Sequence, residues 1–171
     1  MTAPVFVDAN VFIYAHDPLE PLKQKRAAEW LERLWRGALG RTSMQVLSEM
    51  YVTLTRKLAT RVPAETAWAE VYALLAWRPQ PTDEALILRA HEIEQRYKIS
   101  WWDSTIVAAA QLQDCAVLLT EDLQDGMVFG PLTIRSPFTS VLEQPVASYV
   151  AGRGGSLHRP RGRPKRIPAG A

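Results

Sequence analysis

Short runs of consecutive apolar residues alternate along the chain with longer stretches in which apolar residues recur every three or four positions. Val5-Phe6-Val7 and Ala116-Val117-Leu118-Leu119 are the clearest runs, with Leu132–Ile134 a shorter third. Their length and β-branched content predict strands buried on both faces. A short helical segment is expected through Val11–Tyr14, broken by Pro18 and Pro21. Ala27, Trp30, Leu31, Leu34 and Trp35 mark a helix from Lys23 to Arg36, which Gly37 and Gly40 are expected to close. Ser43 is a candidate N-cap for a helix reaching Leu58, with Val46, Leu47, Met50, Leu54 and Leu58 inward. Pro63 suits the first turn of a helix over Ala64–Ala76. Thr82 is a candidate cap for Asp83–Lys98, where Leu86, Ala90, Ile93 and Tyr97 share a face. Trp102–Gln113 is apolar almost all round, which predicts a central buried helix.

Strands separated by helices predict an α/β fold with a parallel sheet. Ligands in such sheets bind beyond the carboxyl ends of the strands. Asp8 directly follows the first strand and Asp122 closely follows the second, so two carboxylates are expected on one sheet edge. The sequence contains no internal repeat.

Length and composition narrow the picture. The 171 residues are 47% hydrophobic, which suits one globular domain over residues 1–147. No apolar run approaches the roughly 20 residues of a membrane helix, and the N-terminus lacks the pattern of a signal peptide. The single cysteine, Cys115, excludes an internal disulfide and a Cys-rich zinc site, and its apolar surroundings predict a buried structural thiol. A cytoplasmic setting is the expectation. The net charge of +2 hides an asymmetry: residues 1–150 carry 14 Lys+Arg and 18 Asp+Glu, whereas residues 151–171 carry 6 Lys+Arg and no acid. Residues 148–171, rich in glycine, proline and arginine, cannot bury enough apolar surface to fold and are expected to be a disordered basic tail.

Four acids stand in unusual contexts. Asp8 ends a buried strand, Glu49 lies among apolar helical neighbours, Asp103 opens the most apolar helix, and Asp122 follows the Val117-Leu118-Leu119 run. Taken singly, each is more simply a cap, a turn residue or a solvated helix residue. Taken together, several converging carboxylates with too few bases would repel unless a cation joined them. An oxygen-only, carboxylate-rich donor set suits Mg²⁺ or Mn²⁺, around which the usual chemistry is phosphodiester hydrolysis.

The motifs that hold these acids resemble those of the PIN-domain family. Val5-Phe-Val-Asp8-Ala-Asn10 resembles its opening motif, and Ser43-Met-Gln-Val-Leu-Ser-Glu49 its second. Trp102-Asp103-Ser104 before an alanine-rich helix resembles the third, and Leu118-Leu-Thr120-Glu-Asp122 the fourth. They occur in family order across about residues 4–137, and they are most similar to the VapC-like toxin branch. The resemblance implies a three-layer α/β/α fold and a Mg²⁺-dependent (or Mn²⁺-dependent) endoribonuclease. By it, Asp8, Glu49, Asp103 and Asp122 hold metal and activate water, while Asn10, Ser43 and Thr120 orient ligands or phosphate. It further implies an RNA substrate, a cognate antitoxin protein and a homodimer. One departure stands out: where many relatives carry another acid two residues after the fourth-motif Asp, this chain has Gln124. Asp125 comes one later, as either an outer ligand or a loop residue.

Other residues invite functional readings. His16 follows Asp8 closely but is more simply a loop histidine, and His91 a solvated one. Trp30, Trp35, Trp68 and Trp77 fall at core-like positions, and packing is also the expectation for Trp101 and Trp102. In the tail, Arg159-Pro-Arg161-Gly162-Arg163-Pro-Lys165-Arg166 resembles an AT-hook, in which arginines enter a narrow A·T minor groove. The plainer reading is a polyanion-binding tail that acts by counterion release. The alternative function is therefore a DNA-associated scaffold, or a DNA-directed nuclease, that uses this tail to reach A·T-rich DNA.

Overall fold

The computed structural model describes residues 3–139 and is built on a five-stranded sheet of order β2-β1-β3-β5-β4. The strands are β1 (Val5–Val7), β2 (Gly40–Arg41), β3 (Val117–Leu119), β4 (Val128–Phe129) and β5 (Leu132–Arg135). All pairings are parallel except that of β4 with β5. Six α-helices join them: α1 (Ala9–Tyr14), α2 (Pro21–Gly37), α3 (Met44–Val52), α4 (Ala64–Leu74), α5 (Glu84–Tyr97) and α6 (Trp101–Leu112). Successive strand residues point to opposite faces. Every residue of β1 and β3 is buried, so helices cover both faces and the α/β/α layering expected from the sequence is present. On the described helices, none is long and apolar enough to cross a membrane.

Local chemistry explains the helix ends. Asp8 caps α1 and Ser43 caps α3 through their side chains. The cap of α5 is Asp83 rather than Thr82: its carboxylate accepts from the Leu86 amide at 2.9 Å, which starts the helix at Glu84. Helix α3 does not run on as an α-helix to Leu58 but widens at Thr53–Lys57 into a π-helical turn. Ala38, at φ 53°, ends α2 in the left-handed region.

Gly40 has a different role from the helix stop expected of it. It lies in β2, and an added Cβ would sit inside the Trp77 indole. The glycine lets that buried ring close the sheet edge. Trp30 and Trp77 are in the core as expected. Trp35 and Trp68 are instead 43% and 57% exposed, Trp35 tilted against Trp77 and Trp68 edge-on against Tyr51. Cys115 is buried, and burial pushes its thiol up to about 12, which suits a structural role.

Gly40→Ala should overpack this corner. The expected loss is about 1–3 kcal/mol, read from the midpoint of urea unfolding. A midpoint equal to that of the parent protein would show that the Trp77 ring yields freely.

Candidate active site

The two central strands deliver the first site residues side by side. The register that pairs Val7 with Leu119 continues one step further, where the Asp8 amide donates to the Leu119 carbonyl at 3.1 Å. Asp8 and Thr120 therefore leave the sheet together at its carboxyl edge. Both are buried.

Hydrogen bonds then fix their side chains. Asp8 Oδ1 accepts from the Ala9 amide at 2.7 Å, and Oδ2 accepts from the Thr120 hydroxyl at 2.7 Å. Thr120 Oγ1 in turn accepts from the Asp122 amide at 3.1 Å. The Asn10 amide nitrogen completes the set, donating to Thr120 Oγ1 at 3.0 Å and Asp122 Oδ2 at 3.1 Å, with a longer 3.5 Å approach to Asp8 Oδ2. Asn10 and Thr120 thus tie two carboxylates together by donating between them. With the nitrogen so engaged, Asn10 Oδ1 is buried without a partner, a free acceptor at the site.

Asp8, Glu49, Asp103 and Asp122 line one cleft of about 470 Å³, together with Gln45, Trp102 and Ile106. Glu49 comes from α3 and Asp103 from the first turn of α6. The Ser100 hydroxyl, at the N-cap of α6, donates to Asp103 Oδ2 at 2.7 Å and holds that carboxylate. Among the described residues, no Lys or Arg lines the cleft. Lys23 is engaged nearby, donating to Glu121 at 2.8 Å and to the Tyr14 hydroxyl at 3.0 Å. Burial pushes the Asp8 carboxyl up to about 6. The bonds from Thr120 and Ala9 oppose this, and the charges of Asp122 and Glu49 reinforce it.

The donor set fits a hard divalent cation in its chemistry. It is all oxygen, it includes a buried carboxylate destabilised by its own charge, and a buried amide oxygen lacks a donor. The arrangement is looser than a finished shell: among the described residues no three His, Cys, Asp or Glu side chains form a group that could hold a metal as they stand.

Other residues singled out from the sequence lie elsewhere. Ser43 is buried and is not among the cleft residues; its hydroxyl accepts from the Val46 amide at 3.2 Å, capping the helix α3 that carries Glu49. Asp125 is not among the cleft residues; it accepts from the Ser136 amide at 2.8 Å and pairs with Arg135 at 3.5 Å, as a loop residue does. His16 joins α1 to α4, with Nε2 bonded to Glu70 at 2.6 Å and Nδ1 to the Phe12 carbonyl at 2.9 Å. Arg159, Arg161, Gly162, Arg163, Lys165 and Arg166 lie outside the described residues. The sequence reading missed Gln45, Trp102 and Ile106. Gln45 lies one turn from Glu49 and Ile106 about one turn from Asp103, so helical spacing carried a signal for both.

The family model described as PIN domain matches residues 5–124, a span that holds all four acids. Among solved structures, the sarcin–ricin-loop-cleaving toxin VapC20 of Mycobacterium tuberculosis is similar, with a TM-score of 0.48 and 20% sequence identity over 67% of this chain and 86% of that one. No curated protein matches the chain.

The raised Asp8 carboxyl has a consequence for stability. Folded Asp8 binds its proton more tightly than the unfolded residue, whose value is near 3.8, so its contribution to stability falls as pH rises from about 4 to about 6 and is flat above. The shift corresponds to about 3 kcal/mol. Thermal melts in EDTA should show wild-type protein losing stability relative to Asp8→Asn over that window. A pH-independent difference between the two would contradict the account.

Proposed function

The chain belongs to the PIN-domain family, and on that premise we propose that it is a divalent-metal-dependent endoribonuclease of the toxin type. PIN domains are generally nucleases. The observation that carries the proposal is the convergence of four carboxylates on one cleft whose lining, among the described residues, includes no Lys or Arg. A phosphodiester would be repelled from such a cleft unless cations offset the charge.

Asp8, Glu49, Asp103 and Asp122 would hold the cation, with Asn10 and Thr120 orienting Asp8 and Asp122. Mg²⁺ or Mn²⁺ supplies Lewis acidity toward the phosphoryl oxygen and lowers the pKa of an attacking water. Asp8 serves this chemistry by standing ready as a desolvated carboxylate, fixed at both oxygens, whose charge a cation would favour. Together with the cation, the same four carboxylates would activate the attacking water, as the motif resemblance implies. The choice of RNA over DNA rests on the resemblance of the four motifs to the VapC-like toxin branch. The same resemblance supports a cognate antitoxin that covers the cleft, and a homodimer.

Purified protein should cleave a mixed RNA pool with Mg²⁺ and leave a matched single-stranded DNA intact. Excess EDTA or Asp8→Asn should abolish cleavage. Asn10→Ala should lower it about 10- to 100-fold, as loss of an orienting partner does. RNA cleavage that persists in EDTA, or in folded Asp8→Asn protein, would overturn the assignment.

A further inference from the structure

Trp102 breaks the pattern of its neighbours. It stands in the first turn of α6 beside Asp103, and seven consecutive residues behind it, Ser104–Ala110, are buried. Its partner in sequence, Trp101, packs against the core. Trp102 itself is 69% exposed and lines the acidic cleft. Trp35, Trp68 and Trp77 each rest on another aromatic ring, whereas Trp102 makes no ring contact among the described residues. Its backbone is held in place: the Trp102 carbonyl accepts from the Thr105 hydroxyl at 2.7 Å. Ile106, one turn further along α6, extends the apolar side of the same cleft.

A large indole that is neither packed nor paired has most of its surface in water, whereas its neighbour Trp101 is half-buried against the core. At the rim of a cleft that otherwise presents carboxylates, it offers what the acids lack, an uncharged flat face. Nucleobases have such faces, and they become available only where the strand is unpaired. We infer that Trp102 is a stacking platform for a base flanking the scissile phosphate, which restricts the substrate to unpaired RNA. The inference rests on the nuclease reading of the cleft. The rigid first turn sets the ring beside Asp103, so a base resting on it brings the adjoining phosphate toward the acids. Stacking tolerates any base, so Trp102 selects unpaired strands rather than a sequence.

The test is fluorescence anisotropy with a labelled 2′-O-methyl RNA 12-mer in Mg²⁺, which reads binding without cleavage. Trp102→Ala should weaken binding by roughly 10- to 100-fold, the range of one base–aromatic stack. Trp102→Phe should restore most of it. An abasic ribose-phosphate 12-mer should bind wild-type protein weakly and show no further loss with Trp102→Ala. Because the ring is exposed, the melting temperature of Trp102→Ala should match wild type. Equal affinity of wild type and Trp102→Ala for the base-bearing strand, an equal loss on the abasic strand, or no binding of either strand by wild type would each overturn the inference. Failure of wild-type protein to cleave RNA would sink the nuclease reading separately, since the anisotropy difference between the two strands does not depend on cleavage.

Discussion

A carboxylate held inside the protein at the end of β1 is the constraint from which the rest of the site follows. Burial makes the Asp8 charge costly, and the charges of Asp122 and Glu49 make it costlier. The fold meets part of that cost with short hydrogen bonds from the Ala9 amide and the Thr120 hydroxyl. The remainder is what a divalent cation would offset. A fold selected for stability alone would put an apolar residue or an exposed cap at this position. Here the strain is concentrated at one point, surrounded by groups that can use it.

The parallel sheet makes that concentration possible. Pairing β1 with β3 in register sets Asp8 beside Thr120 although 112 positions separate them. Asn10, in the first turn of α1, then reaches across to Asp122. Helices α3 and α6 add Glu49 and Asp103 from either side, each helix started by a serine cap. Short strands and capped helices thus place four acids around one cleft without any of them being adjacent in sequence.

Much of this was legible in the sequence because its signals are local. The apolar run of β1, the acid after it and the alanine-rich α6 carry their meaning within a few residues. What was missed depends on distant partners. The strands β2 and β4 have two residues each, too few for any periodicity. Gly40 resembled a helix stop because the reason for it, the Trp77 ring, lies 37 residues on. Asp125 was ambiguous until the turn brought Ser136 and Arg135 to it. Trp102 sits next to Trp101 in sequence, and only the packing shows that one ring is half-buried against the core and the other is exposed at the cleft.

The most direct test of the account is whether the four acids gather a cation at all. Titration of Mn²⁺, followed by the loss of its free-ion electron paramagnetic resonance signal, measures this without any substrate. The account predicts saturable uptake by wild-type protein, competed by Mg²⁺ and lost in an Asp8→Asn, Asp103→Asn double variant that remains folded. Equal uptake by wild type and double variant, or none by either, would contradict it.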